Sequence, residues 1–569
     1  MDQVSRWLES FAGALARNDI GKAADLFDAD CYWRDLLAFT WDIRTHEGLG
    51  GLSPLFKTKS TGWKIENHPV SSPDESWFSF STAAGRAVGH LRLREGRAWT
   101  LLTALRTLHD HPERPISSLM REPDLGVTRQ PYVVIAGGGQ GGIALGARLK
   151  RLGVPAVILE KNPRAGDSWR KRYASLVLHD PVWYDHMPCK PFPEGWPVFT
   201  PKDALADWLE AYVEELQLDY WGGSPCLKAV FEEKNSSWRV STLKDGKPVT
   251  LRPKHLVLAT GMSGFPYCPE IPGAASFAGT IVHSSAFQGG AGWRGKKCVV
   301  VGASTSAHDI CEDLHAHGAE ATMVQRSPTI VATSEALLEY AWGRLYSEAA
   351  LARGITTEIA DLTVASVPHK ILPSLQQPLY ETIAKRDAWL YDGLARAGFL
   401  HDFGEDGSGI HTCYLRRGAG YYIETGASKK IIDGRIKLAA NAGLAHIAER
   451  SVTLTTGATL PADLIVFATG YGDMNQWAAQ LISPEVAEKV GKVWGLGSAT
   501  KYDPGPWEGE LRNMWKPTKQ EGLWFFGGNL MQARHYSIYT ALQLKRAQLR
   551  TNPSSGPKSR ASAARSAAR

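Results

Sequence analysis

Cysteine is sparse in this sequence and never arranged in pairs. The seven residues, Cys31, Cys189, Cys226, Cys268, Cys298, Cys311 and Cys413, contain no C-x-x-C spacing and their number is odd. That argues against a structural zinc, a dithiol redox centre and a secreted disulfide framework, and no metal site is expected. Long apolar runs are missing too. None reaches the roughly 18 residues that a membrane-spanning helix needs, and Met1-Asp2-Gln3-Val4-Ser5-Arg6 lacks a signal-peptide pattern. The expectation is a cytoplasmic protein with no integral membrane segment. Surplus charge is also scarce where it would matter: of the formal +6, four charges (Lys558, Arg560, Arg565, Arg569) sit in the last dozen residues. The remainder is nearly neutral, which excludes the basic footprint of a nucleic-acid-binding protein.

What is present is an ordinary globular composition, 43% apolar and 21% charged, over 569 residues. That is too long for one core and implies about two to four domains. Residues 1–108 form one unit. Trp7, Leu8, Phe11, Leu15, Ala23, Leu26 and Phe27 recur at helical spacing, whereas Ala87–Leu93 and Ala98–Leu108 read as strands joined at Glu95-Gly96-Arg97. Helices followed by a sheet make an α+β domain. The pattern resembles the cone-shaped fold of nuclear transport factor 2 and small polyketide cyclases. Such cones hold ligands or mediate dimerisation; Asp35 and His46 are its candidate pocket groups, a structural role is the favoured one, and a homodimer is compatible with it. Residues 109–130 are polar and proline-containing and read as a linker. The tail, 549–569, is rich in Ser, Ala, Pro and Arg and is expected to be disordered.

The first chemical signal begins at Tyr132-Val133-Val134-Ile135-Ala136, a buried-strand pattern. It runs into Gly137-Gly138-Gly139-Gln140-Gly141-Gly142, then a helical stretch, then a second strand pattern ending in Glu160. This is G-x-G-x-x-G in a βαβ context, with an acid 18 residues after the last glycine. Gly137 permits the turn, Gly139 removes a Cβ from the path of a pyrophosphate, and Gly142 allows close packing. The helix start offers N–H groups to phosphate. Glu160 suits ribose hydroxyls and repels a 2′-phosphate, which selects FAD or NAD over NADP.

A second unit begins 165 residues later. Cys298–Val301 is a strand pattern, Gly302-Ala303-Ser304-Thr305-Ser306-Ala307 the turn, and the following strand ends at Arg326-Ser327. The acid is here replaced by a guanidinium and a hydroxyl, a pair matched to a 2′-phosphate, so NADP(H) is expected on this unit. Two strands ending in Ala-Thr-Gly, with Thr260 and Gly261 in one and Thr469, Gly470 and Tyr471 in the other, carry the chain back across the nucleotide domains.

Between the units, Phe277-Ala278-Gly279-Thr280-Ile281-Val282-His283-Ser284-Ser285-Ala286-Phe287 fits F-x-G-x-x-x-H-x-x-x-[FY]. This is the identifying motif of flavin-containing monooxygenases; the form in type I Baeyer–Villiger enzymes ends in Trp where this chain has Phe287. With Gly166-Asp167-Ser168-Trp169-Arg170, which is similar to the G-x-x-W-R segment beside the flavin, the resemblance spans about residues 131–548. The N-terminal domain and Leu178-His179-Asp180-Pro181 look like the type II, Baeyer–Villiger-like branch, associated with ketone and heteroatom oxidation and with NADH use beside NADPH. One departure stands out: where animal-type members have an active-site Asn, this chain has His179.

The resemblance implies an α/β fold with two Rossmann-like dinucleotide-binding domains, for FAD and NADPH, behind the small α+β cone-like domain. The implied order is FAD-binding part 131–288, NADPH-binding domain with helical insertion 289–460, and C-terminal FAD-binding part 461–548. It implies hydride transfer to FAD, a flavin 4a-hydroperoxide formed with O2, and oxygen insertion into a small organic substrate: a ketone, sulfide or amine. His179 is the candidate for steering the peroxide, with Asp180 beside it. His283 orients its own loop, and Gly528-Asn529 approaches the flavin ring. The stretch Val331–Tyr421, with Trp342, Trp389 and Tyr391, is the candidate cap over the substrate entrance. The competing readings are a flavin disulfide reductase, which needs a cysteine pair, an NADPH oxidase that releases H2O2, and a catalytically inert flavoprotein binding module.

Overall fold

The computed structural model describes residues 2–57, 64–67, 72 and 74–551; the expected disordered tail lies outside them from residue 552 onward. The helix before it runs on to Thr551, three residues past the expected boundary.

The N-terminal unit is α+β as expected. Its helices Gln3–Ala16, Ile20–Asp25 and Gly48–Lys57 accompany a six-stranded mixed sheet. Strands Gly85–Arg94 and Arg97–Leu108 pair antiparallel through a turn in which Glu95 and Gly96 both have positive φ, 51° and 79°. This is the twist-matched hairpin geometry that Gly makes accessible. Phe27, expected on a helix, opens the strand Phe27–Leu36. Its ring packs edge-on to Trp7 at 5.6 Å, so burial against the helix, not continuation of it, explains the apolar spacing.

Two five-stranded, all-parallel sheets follow, and they are built alike. In the first the spatial order is Leu523–Phe525, His255–Leu258, Val133–Ala136, Ala156–Leu159, Tyr220–Trp221. In the second it is Thr280–His283, Leu464–Phe467, Lys297–Val301, Glu320–Gln325, Lys437–Ala440. Each glycine-motif strand is central, with its Ala-Thr-Gly strand alongside in parallel register. The strands Val133–Ala136 and Leu464–Phe467 are fully buried apolar runs, the composition of a sheet covered on both faces. Two expected boundaries move. Thr280–His283 was placed in the first domain (131–288) and Leu464–Phe467 in the C-terminal FAD part (461–548), yet both hydrogen-bond into the second sheet. The pairing of strands, not their order along the chain, decides membership.

The linker is strapped to the first unit: Arg148 and Arg151 pair with Glu113, and Lys150 reaches Glu122. The N-terminal unit is fastened more firmly. Arg34, 1% exposed, makes a bidentate pair with Glu510, both bonds 2.7 Å, and donates to Ala365 O and Tyr536 OH at 2.8 and 2.9 Å. Thr45 donates to the same carboxylate at 2.7 Å. Burial pushes the Glu510 carboxyl up, but Arg34 and His369 outweigh it and hold the group well below the ordinary carboxylate range. Asp35, expected as a pocket group, is consumed internally: it accepts from the backbone of Phe39 and Thr40 and from the hydroxyls of Thr40 and Thr103. His46 is buried with Nδ1 on Gly51 O, 2.9 Å.

Breaking a buried pair by removing one partner leaves an uncompensated charge. Glu510→Gln is therefore expected to destabilise the protein by about 3–5 kcal/mol, while Arg34→Met combined with Glu510→Met recovers most of it. Urea unfolding of the single and double variants checks this; equal losses in both would refute the clamp.

Candidate active site

At the end of the first central strand the backbone turns at Gly137 with φ +114°, and a Cβ there would lie 2.3 Å from Ala259 O. Gly142 is just as constrained, since its Cβ would stand 2.0 Å from Gly137 O. Gly139 is different. Its backbone, φ −76° and ψ −173°, accepts any residue, and the nearest atom to a Cβ would be Ser168 Oγ at 3.8 Å. Only a ligand lying beside the turn needs glycine at this position. Gly139 also caps the helix Gln140–Arg151, which has no side-chain cap. Glu160 is buried at the tip of the adjacent strand, one oxygen accepting from Gly138 N at 2.7 Å and the other from Asn162 N at 2.9 Å. A Cβ on Gly141 would stand 3.2 Å from the Phe526 ring, which sets the Gly527–Asn529 loop close to the same turn.

The second turn repeats this construction. Gly302 has φ +128° and its Cβ would meet Ala468 O at 2.3 Å. Ser304 stands uncapped at the start of the helix Thr305–Ala316, and Ala307 is fully buried against the sheet. Ser306 is half-buried, and Thr305 donates its hydroxyl to Tyr421 O, 2.9 Å. Arg326 lies exposed at the tip of the neighbouring strand, beside half-buried Ser327, with no ion pair among the described residues.

The units are joined where the two Ala-Thr-Gly segments cross. Thr469 donates to Tyr267 O at 2.6 Å, Tyr267 N to Gly470 O at 3.0 Å, and Pro266 bridges Tyr471. His283 fixes this crossing. Its Nδ1 accepts from Ser285 N at 3.1 Å, which leaves Nε2–H to donate to Gly470 O at 3.0 Å. Burial lowers its pKa, so the neutral ring required by this pattern is the stable one. His283 thus holds the crossing in place, and the Thr469 hydroxyl is bonded within it.

His179 and Asp180 lie between the units. The His179 ring faces Tyr421 edge-on at 6.1 Å. Nearby, Tyr173 OH donates to Asp309 on the second helix at 2.5 Å, linking the two units. Burial pushes Asp309 up to about 6 against the opposing effects of Tyr173 and His179. Asp180 is also raised by burial, and His179 opposes that shift. Asn529, expected at the flavin ring, has its side chain committed elsewhere: Oδ1 accepts from Gln532 N at 3.0 Å at the start of the C-terminal helix Leu530–Thr551, and Nδ2 donates to Tyr184 OH at 3.0 Å. Gly528 beside it has φ +108°. Tyr173, Tyr184, Asp309, Tyr414 and Tyr421 escaped sequence reasoning. They carry no local motif and meet only because the sheets bring together segments well over a hundred residues apart.

Three of the expected cofactor residues, Trp169, Thr260 and Tyr471, hold buried polar atoms (Nε1, Oγ1 and OH) with no protein partner. Together with the notch at Gly139, these orphans fit a bound dinucleotide, because an unsatisfied buried group otherwise costs about 1–3 kcal/mol. Cysteine chemistry does not fit: all seven thiols are free, and burial pushes Cys226 and Cys298 up to about 12.

Two parallel sheets, each with a glycine turn at the end of its central strand, define a protein of the two-dinucleotide class. Residues 134–367 match the family described as pyridine nucleotide-disulphide oxidoreductase. The indole-3-pyruvate monooxygenase YUCCA1 of Oryza sativa subsp. japonica is 30% identical over 365 residues, 63% of this chain and 82% of that protein. Among solved structures, open cyclohexanone monooxygenase superposes with a TM-score of 0.52 at 16% identity, covering 74% of this chain and 88% of that one. OTEMO in complex with FAD and NADP gives 0.52 at 17%, covering 75% and 87%. The chain belongs to the flavin-dependent monooxygenases. As a member of that family it is an oxidoreductase with FAD and NADP(H) as cofactors. Among the described residues no helix is long and apolar enough to cross a membrane.

Gly139→Val separates ligand from fold. The variant is expected to fold with a near-native melting curve yet to purify without FAD, whereas Gly142→Val fails to fold. A folded, fully flavinated Gly139→Val protein would remove the pyrophosphate from this notch.

Proposed function

We propose that this enzyme binds FAD at the Gly137–Gly142 turn and NADP(H) at the Gly302–Ala307 turn, and places one atom of O2 on a small organic substrate bearing a carbonyl group. FAD, when bound, supplies the electron transfer and oxygen activation. The observation that carries the reading is the pair of like-built turns with opposite strand-tip chemistry, Glu160 in one and Arg326 in the other.

The chain's own groups then have distinct tasks. The start of the helix Gln140–Arg151 holds the FAD pyrophosphate, Ser168 lies beside it, and Glu160 accepts from the ribose hydroxyls. Arg326 and Ser327 take the 2′-phosphate of NADP(H) by charge and by hydrogen bonding. Neutral His283 keeps the crossing at Gly470 rigid, so the two turns hold their separation. His179, half-buried between the units, offers an imidazole N–H to the oxygen that is transferred. Tyr421 faces it edge-on and Tyr414 packs on Tyr421, and burial raises the pKa of the Tyr184, Tyr414 and Tyr421 hydroxyls, which keeps them as neutral donors. A carbonyl substrate is favoured because the relative with 30% identity acts on indole-3-pyruvate, a 2-oxo acid. Attack on a ketone and transfer to sulfide or amine both remain within the chemistry of the site.

Anaerobic mixing with NADPH is expected to bleach the bound flavin, and on readmission of air NADPH consumption should yield oxygenated product from a ketone panel. A flavin that stays oxidised would sink the proposal; H2O2 release undiminished by any ketone, sulfide or amine would convert it to an oxidase. Arg326→Ala is expected to raise KM for NADPH by roughly one to two orders of magnitude, as loss of a charge-assisted contact does, and to leave KM for NADH nearly unchanged. Equal effects on both nucleotides would remove Arg326 from the 2′-phosphate.

A further inference from the structure

Behind the C-terminal helix, away from the nucleotide turns, lies a cavity of about 220 Å³. A single water needs only ~10–15 Å³ on the same measure, so this space holds more than isolated solvent. Five parts of the fold wall it: the N-terminal sheet through Arg106, the first nucleotide helix through Arg148, the His186–Pro191 loop, and the helices Thr357–Ala365 and Leu530–Thr551. Its lining carries four cations, Arg106, Arg148, Lys190 and Arg534, against two carboxylates, Glu358 and Asp361. Asp361 is held by Arg534 and Glu358 by Arg106. The acids that partner Arg148 and Lys190, Glu113 and Glu215, stand outside the wall.

Two polar atoms in this wall have no partner. His535 is 3% exposed and its Nε2 makes no hydrogen bond; Arg148 Nε is likewise buried and unbonded. Burial lowers the pKa of His535, and the charges that act on it most are all guanidinium groups, those of Arg106, Arg34, Arg534 and Arg148. His186, on the facing loop, is pushed down to about 4 by burial and Arg534. The ring is therefore a neutral hydrogen-bonding group in a positive field, a setting that rewards an incoming negative charge.

We propose that this cavity is a binding site for a small oxyanion, a carboxylate or phosphate group, held by Arg106, Arg148 and His535. The site is separate from both nucleotide turns and its existence does not depend on the proposed reaction. Two elements run from its wall towards them: the helix Gln140–Arg151, which carries Arg148, and the side chain of Arg534. Arg534 donates to Tyr184 O at 2.8 Å, and Tyr184 OH accepts from Asn529, the residue that caps the C-terminal helix.

Isothermal titration calorimetry of the full-length chain at fixed ionic strength tests the site, with inorganic phosphate in one arm and butyrate in the other and chloride as the balancing salt. Saturable one-to-one binding of at least one anion, with Kd of about 1 mM or tighter, is expected. The stronger arm identifies phosphate or carboxylate as the preferred group. Arg106→Gln and His535→Gln should each weaken binding at least about tenfold, the scale of a lost charge-assisted bond. Arg106 also lies at the rim of its own ion pair with a largely exposed Glu358, so its variant reports even where His535→Gln does not fold. No saturable heat with either anion, or equal affinity in wild type and Arg106→Gln, overturns the site and leaves only adventitious association.

Discussion

The contact on which the rest of the molecule depends is between a glycine and a carbonyl. Gly137 against Ala259 O, and Gly302 against Ala468 O, are equivalent approaches in two equivalent sheets. Each brings the start of a helix to the end of a central strand, at the point where the next strand also ends. Everything functional is arranged around those two points: the strand tips Glu160 and Arg326, the loops that follow Ala-Thr-Gly, and the crossing secured by His283. A side chain at either glycine would push the helix start away from its partner strand and dissolve the geometry that makes a phosphate site.

Much of this was legible in the sequence. The glycine spacing, the β-branched strands around it and the acid or guanidinium at the tip form local patterns, and local patterns survive in a linear text. The repetition of Ala-Thr-Gly was informative for the same reason, since each copy pairs beside its own glycine strand. The domain boundaries were less legible. Thr280–His283 and Leu464–Phe467 belong to the second sheet because of hydrogen bonds to distant partners, and no residue type at position 288 or 461 announces a change of sheet.

The least legible features were those made by convergence. Tyr173 and Asp309, or Tyr184 and Asn529, are bonded across 136 and 345 positions. Tyrosine in such places is indistinguishable from tyrosine in any core until the packing is known. Asp35 shows the converse: an acid in an apolar strand invites a binding role, but four internal donors claim it. The side-chain bonds of Asn529 to Tyr184 and of Thr469 to Tyr267 were equally hidden, because motif order carries no side-chain direction.

The Arg34–Glu510 pair has a temporal corollary. Its members are 476 positions apart, so during synthesis at roughly 5–20 residues per second the arginine waits about half a minute to a minute and a half for its carboxylate. Until then the guanidinium must remain hydrated, and the surface around it cannot close. The surface around Arg34 is thus sealed only after the segment that carries Glu510 has been made.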